Sequence, residues 1–389
     1  MLTMVHCADL HAGRPAPSLL QEEKAAVRRG EVEGTLRRIV DFTSREKADL
    51  LLISGDLFEH SHASPAWARE ASSLFESIPG TRVFVAPGNH DPVVRGSFYK
   101  SLKWPPNVTV FDSPEIREVL LPDLPVAVYG YGWSSFTERR EVLKGFAAER
   151  ADRVSVLVVH GDAVTKEASQ YLPISPPDME KSGLDYIALG HIHAPSEFRW
   201  GPTVAAYPGC TEPLDFGDKG QRGVYLVKAD EDAPKGERVR LSFVPMAARQ
   251  MRSVDLDITG LDTPEKVRRA VLSCGTASDR KTDMWAVRLC GSVEPEVVLD
   301  IPSLERDLAQ DFFALRLIPE YRPSYDLEAL GDPSRESLEA RFVRHLLEKR
   351  RAALDKGDET AAETAERALY YGLDAMRQGR VLLRKGGQR

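Results

Sequence analysis

Residues 50–59 read LLLISGDLFE: four aliphatic residues, a serine, then Gly55-Asp56. A short apolar run bounded by a glycine has the length of a buried strand rather than a helix. A carboxylate at its end then stands where an α/β fold gathers its ligands, at the carboxyl ends of strands. Working outward, the same grammar recurs four times. Asp9-Leu10-His11 follows the apolar run 2–8, and Gly88-Asn89-His90-Asp91 follows the predicted strand Arg82 to Ala86. His160-Gly161-Asp162 ends the strand from Val154, and Gly190-His191-Ile192-His193 ends Tyr186 to Leu189. Eight of the nine histidines lie before residue 194, so the clustering is a property of the first half of the chain.

The segments between these strands alternate with helical patterns. A long one runs to about Lys47, with Gly30 and Gly34 as candidate breaks, and another spans Pro65 to Ser77. From about Pro195 the texture changes to short strands and turns, which predicts a second sheet packed on the first. A boundary falls near residues 246–252. Residues 253–323 read as a small β-α-β-α-β unit whose first helix is started by Thr263-Pro264-Glu265. Beyond it, Ser334 to Arg350 and Thr360 to Arg377 read as two amphipathic helices, followed by a basic tail. The expected division is therefore 1–248, 249–325 and 326–389.

At 389 residues the chain exceeds one ordinary core. Four scattered cysteines form neither a zinc ribbon nor a disulfide framework, and no stretch has the length of a membrane span or the pattern of a signal peptide, so a cytoplasmic protein with no membrane partner is expected. A net charge of -7 argues against a chain that grips nucleic acid by a basic surface alone. Bound divalent cations would reverse the local field where it matters.

The motif residues offer nitrogen and oxygen donors without a thiolate, a set that suits manganese, iron or zinc. Asp9 and His11, two apart in an extended chain, would leave one face together, and so would His191 and His193. Asp56 has the two oxygens needed to bridge a pair of cations, while Asn89 and His160 add an amide oxygen and an imidazole. Such a pair would polarise a phosphoryl oxygen and lower the pKa of a shared water, which is phosphoester chemistry. His90 points away from its neighbour Asn89 and is free to protonate the leaving group, with Glu59 as the acid that orients it. His6 reads as a packed strand residue, Cys7 as a small buried hydrophobe, and Asp91 and Asp162 as either turn formers or partners of the ligands.

Taken in order, these motifs resemble the calcineurin-like metallophosphoesterase superfamily. The runs Gly55-Asp56-Leu57-Phe58, Asp185 to His191 and Tyr207-Pro208-Gly209, with Phe216, Gly220 and Gly223, resemble its DNA-repair exonuclease branch, the SbcD-type nuclease subunit. The resemblance implies a two-sheet α/β sandwich flanked by helices, a small α/β capping domain and a helical C-terminal segment. It also implies two metal ions, usually Mn2+, one held by Asp9, His11, Asp56 and His193 and the other by Asp56, Asn89, His160 and His191. Its implied partners are DNA and an SMC-like coiled-coil ATPase of the SbcC type bound through the C-terminal helices; a homodimer is left open. Glu59 and Cys210 depart from the family's usual residues, which leaves His60 or His62 as alternative phosphate contacts. Two other readings are weighed: a phosphodiesterase or phosphatase acting on a small nucleotide or phosphoprotein, and an inactive scaffold. No Arg follows Gly55-Asp56 as in phosphoprotein phosphatases, and a scaffold has no reason to keep all seven ligand positions filled.

Overall fold

In a computed structural model, which describes residues 1–150, 152–165, 169–379 and 381, the chain divides into two units, Met1–Met251 and Arg252–Arg389. The first unit holds two six-stranded sheets. One contains β1 (Leu2–Cys7), β2 (Leu50–Ile53), β3 (Arg82–Val85) and β4 (Val108–Val110), all parallel. The other starts with β5 (Arg117–Leu120), paired antiparallel to β6 (Val126–Gly130). It continues in parallel through β7 (Val154–His160) and β8 (Tyr186–Gly190), and closes with the antiparallel pair β9 (Ser196–Trp200) and β10 (Thr203–Tyr207). The chain then returns to the first sheet, where β11 (Gly223–Ala229) runs antiparallel beside β1 and β12 (Val239–Pro245) forms the edge.

Alternation along the strands explains the layers. In β2, Leu50 and Leu52 face the second sheet, where they meet Val126, Val128, Val156 and Tyr186. Leu51 and Ile53 face outward onto α1 (Glu22–Arg45) and α2 (Pro65–Glu76) through Leu36, Ile39, Trp67 and Phe75. A strand buried on both faces reads as an unbroken apolar run, which is why LLLI carries no alternation. The short helices α3 (Phe98–Ser101) and α4 (Pro176–Lys181) complete the unit, α4 contributing Met179 to the outer layer of the second sheet.

Helix α1 runs unbroken through Gly30 and Gly34, against expectation. Each glycine costs roughly 1 kcal/mol of helix propensity. Burial of Leu36, Ile39, Val40 and Phe42 against the first sheet outweighs that cost.

In the second unit β13 (Met251–Asp257), β14 (Met284–Cys290) and β16 (Ala314–Pro319) form a three-stranded sheet, with β15 (Ser292–Val293) and β17 (Arg322–Pro323) as a small side pair. Helices α5 (Pro264–Leu272), α6 (Ala277–Thr282) and α7 (Ile301–Leu308) accompany it; Val267, Val271, Leu304 and Leu308 pack on Trp285, Val287 and Leu317. The short α8 (Leu327–Leu330) precedes two long helices, α9 (Leu338–Asp355) and α10 (Glu359–Gln378), which pack through Val343, Leu346, Leu369 and Leu373. Apart from Val381, the tail after Gly379 that reads as basic lies outside the described residues.

One polar device joins the two sheets of the first unit. His6 in β1 is fully buried, with Nδ1 2.7 Å from the Tyr186 hydroxyl and Nε2 3.0 Å from Ser54 Oγ. Ser54 gives its own proton to the carbonyl of Ala188, so it accepts from His6 Nε2–H, and the tyrosine donates to Nδ1. This fixes a neutral imidazole, and burial pushes its pKa down from 6.5 to about 3. Between those values the unfolded chain binds a proton that the folded chain excludes, so stability is lost as pH falls from 6.5 toward 3. The contribution of one such group is up to about 1.4 kcal/mol per pH unit. Urea unfolding of the full chain and of His6→Gln across this range should show a shallower pH slope in the variant; equal slopes would rule the imidazole out as the cause.

Candidate metal centre

The five motifs meet at the carboxyl ends of β1, β2, β3, β7 and β8. Their loops are zipped together by the backbone: Asp9 N–H donates to Gly55 O at 3.1 Å, His11 N–H to Asp56 O at 2.9 Å and Ala12 N–H to Leu57 O at 3.1 Å. Asp91 is the buried hub of this layer. Its carboxylate accepts from the backbone N–H of Gly88 (2.7 Å), Asp56 (3.2 Å) and Phe58 (3.1 Å) and from the Tyr99 hydroxyl (2.6 Å). Asp162, by contrast, accepts from Val164 and Thr165 in its own turn.

The expectation of extended chain at Asp-x-His is corrected here. Asp9, His11 and Asp56 have φ of 52°, 46° and 52°, and His191 has φ 108°. For residues other than glycine these are strained conformations, held because the surrounding bonds over-determine them. The turn at His191 also separates the two histidines expected to act together. His193 comes to the Asp9–His11 side, its ring 5.4 Å from that of His11, whereas the His191 ring lies 5.3 Å from that of His160. Close approach leaves no room for side chains at two glycines. A Cβ on Gly55 would lie 2.3 Å from His160 Nδ1, and one on Gly88 2.3 Å from Asp56 Oδ1.

Among the described residues donor atoms converge in four groups, the atoms of each lying within 4.8 Å of one another: Asp9 with His11 and His193, Asp9 with Asp56 and His160, His11 with Glu59 and His90, and His193 with Cys210 and Asp218. His160 donates from Nδ1 to the Ser54 carbonyl at 2.9 Å, which turns the Nε2 lone pair toward Asn89 Oδ1 at 2.9 Å and Asp56 Oδ2 at 3.3 Å. Three acceptors facing one another need a proton or a cation between them. With a proton there, burial opposes the charge on His160 but the Asp56 carboxylate draws its pKa up to about 9. Burial works against ionised Asp56 too, and its histidine neighbours still hold it below the usual carboxylate range. His11 Nε2 is buried without a hydrogen-bond partner and points at Asp56 Oδ2 (3.7 Å) and Asp9 Oδ1 (4.0 Å). These residues fit divalent cations.

Glu59 spans the next layer. Its Oε1 is 3.0 Å from His90 Nδ1 and its Oε2 3.2 Å from His11 Nδ1, so one carboxylate holds two imidazoles. Burial resists its ionisation, yet bonds from the two histidines take its pKa down to about 2. Glu59 in turn raises the pKa of His90, against the partial burial of that ring. The His90 side chain is 41% exposed, so its imidazole is open to solvent, while its backbone N–H donates to Asp56 Oδ1 at 2.8 Å. His60 and His62 are tied by backbone bonds to His90 and Glu59.

Three partners of His193 escaped the sequence reading. Its carbonyl accepts from Arg222 Nη1 (2.5 Å) and Cys210 N–H (3.2 Å), and its Nδ1 lies 3.6 Å from Asp218. Burial lowers the pKa of His193, but Asp218 together with the Asp9 and Asp56 carboxylates offsets this and raises it overall. Burial among histidines lowers that of His191 to about 4. Asp218 sits in the turn-rich stretch 208–223, where no spacing marks it; only the pull of a carboxylate toward a candidate ligand histidine would have pointed to it.

The profile of the family described as calcineurin-like phosphoesterase matches residues 2–195, a span that contains all five motifs. The chain belongs to the calcineurin-like phosphoesterases. This phosphoesterase chain is 30% identical over 234 residues to the uncharacterized metallophosphoesterase YhaO of Bacillus subtilis, covering 58% of this chain and 57% of that one. It is 30% identical over 262 residues to the DNA double-strand break repair protein Mre11 of Aeropyrum pernix, covering 63% and 62%. It is 25% identical over 283 residues to a subunit of the nuclease SbcCD of Staphylococcus epidermidis, covering 63% and 70%. The phosphoesterase thus spans about three fifths of the length of the first two relatives. Among its described residues no helix is long and apolar enough to cross a membrane.

Proposed function

We propose that this chain is the nuclease subunit of a DNA double-strand-break repair complex, hydrolysing phosphodiester bonds with two divalent cations, Mn2+ by preference. The observation that carries the reading is the convergence of acceptors at Asp56, Asn89 and His160 beside the His90–Glu59 pair. Cations held by Asp9, His11, Asp56 and His193, and by Asp56, Asn89, His160 and His191, supply polarisation of the phosphoryl oxygen and acidification of water. Asp56 Oδ2 would serve both cations, since it faces His160 Nε2 at 3.3 Å and His11 Nε2 at 3.7 Å, and Glu59 keeps His11 and His90 in register with each other. His90, with Nδ1 engaged by Glu59, holds a proton on Nε2 and delivers it to the leaving oxygen. The names of the Mre11 and SbcCD relatives favour DNA as the polymer.

In the same reading the chain divides functionally at 1–248, 249–325 and 326–389. The β13–β14–β16 sheet with its helices positions DNA, and α9 and α10 bind an SMC-like coiled-coil ATPase. Leu338 and Leu354 of α9 and Met376 of α10 are 76%, 53% and 45% exposed, and a groove of about 560 Å3 runs beside Leu346, Ala365 and Ala368. Removing residues after 326 should abolish co-purification with an SbcC-type ATPase while leaving Mn2+-dependent hydrolysis of a bis-aryl phosphate. Retention of the ATPase by the shortened chain would overturn the assignment.

The test of the whole reading is a nuclease assay on DNA of defined ends, with Mn2+ or Mg2+, with and without that ATPase. Cleavage of linear DNA and of a bis-ester in preference to a phosphomonoester is expected. A strong preference for the monoester would establish a phosphatase instead.

A further inference from the structure

The segment between β6 and β7 places an exposed phenyl ring against His60, beside the loop that carries His90. Phe136 is 52% exposed, and a single exposed apolar side chain is ordinary. Its mounting is what distinguishes it. Before it, Trp133 is fully buried, donates from Nε1 to the carbonyl of His160 at 2.8 Å and accepts from Val93 N–H at 2.7 Å. After it, Glu138 pairs with the chain around Tyr171, giving its N–H to Gln170 O (2.9 Å) and accepting from Leu172 N–H (2.6 Å). The Tyr171 ring lies 4.9 Å from that of His191.

The turn is thus pinned at one end to a proposed ligand and at the other to a neighbour of a second. Ser135 Oγ donates to Thr137 O at 2.5 Å, closing it with Phe136 at the apex. The ring meets His60 edge-on, centroids 5.9 Å apart, and His60 N–H donates to the carbonyl of His90 at 3.0 Å. Phe136 therefore stands one side chain away from the histidine that faces the leaving group. Three residues further along the chain, Arg139 is exposed, a cation that a strand's phosphates can reach.

We propose that Phe136 is a stacking platform for an unpaired nucleobase next to the phosphate being cleaved, so that the site selects a splayed or single strand over a closed duplex. The proposal rests on the nuclease reading. A rigidly mounted aromatic face is sequence-tolerant, because every base offers a π-face.

The test is a binding comparison with the full chain, Mn2+ replaced by Ca2+, using a short fluorescein-labelled single strand and the same strand with abasic sugars at its central positions. By anisotropy the native chain should favour the intact strand by about 5- to 140-fold, the effect of one stacked base. Phe136→Ala should lose that preference and Phe136→Trp should keep it, with circular dichroism and melting of both variants like those of the native chain. An unchanged preference in Phe136→Ala, or an equal loss on intact and abasic strands, would overturn the platform while leaving the nuclease reading in place. Failure of the native chain to bind either strand would reject the nucleic-acid reading itself, and the platform with it.

Discussion

His90→Ala should lower turnover on DNA by about 10²- to 10⁴-fold, the usual worth of a positioned acid, while Mn2+ uptake followed by calorimetry stays as in the native chain. The separation follows from geometry. His90 is bound through Nδ1 to Glu59, and its ring converges only with Glu59 and His11, apart from the two groups that contain Asp9. Glu59 keeps its second bond, to His11, when the His90 ring is removed. A further comparison isolates the proton. An aryl diester has a leaving group that departs without protonation, so the variant should lose far less on that substrate than on DNA. An equal loss on both would make His90 a phosphate contact rather than an acid. The pH profile carries the same information with a definite sign. Glu59 raises the pKa of His90, so the protonated acid persists above the ordinary histidine range and is lost as pH rises through the raised value. Glu59→Gln removes that support and should move the falling limb of turnover to lower pH. A limb that stays in place would assign it to another group.

Much of the centre was legible in the sequence because ligands at strand ends carry two signals at once: an apolar run that marks the strand, and a polar residue type that marks the chemistry. Residues 50–59 show both, and β2 ends one residue before Ser54, which leads into Asp56. Glu59 was legible by its place three residues beyond Asp56, but its second bond, to His11, was not. A sequence lists a side chain once, and nothing in the spacing tells how many partners it has. Backbone strain was hidden for a similar reason. Spacing of two suggests a shared face only for extended chain, and the left-handed turns at Asp9 and His11 bring those residues together by another route. At Gly30 and Gly34 a local preference was read where tertiary burial decides. Asp218, Arg222 and Phe136 were invisible because each acts through a fold-made neighbour, His193 or His60, far from it in the chain.

The same distance in sequence hides the interaction whose loss should cost most stability. Glu212 is 1% exposed and Arg28 of α1 is 2% exposed, and the two form an ion pair at 2.6 Å. Arg28 also donates to the Pro213 carbonyl, while Glu212 accepts from Thr35 Oγ1 (3.1 Å), Arg38 Nη2 (2.5 Å) and the backbone N–H of Ala248 (2.8 Å). Glu212→Ala would leave the Arg28 guanidinium buried with only Glu31, at 3.3 Å, as counter-charge. Breaking one side of such a pair costs about 3–5 kcal/mol, because the remaining charge stays desolvated. Exposed Arg37, on the same helix and paired with Glu70, is the control: Arg37→Ala should change stability by less than about 1 kcal/mol. Removing both buried charges, Arg28→Met with Glu212→Leu, should recover part of the loss, since neither ion then remains uncompensated. Denaturant midpoints of the four chains decide the matter, and a Glu212→Ala chain as stable as the Arg37→Ala control would refute the argument. Calorimetry gives a second reading. Glu212 anchors the stretch whose Cys210, Asp218 and Arg222 hold His193, so Mn2+ affinity should fall in Glu212→Ala, by about 10- to 100-fold if the support of His193 is lost. A chain destabilised with unaltered Mn2+ affinity would show that His193 keeps its place without that anchor.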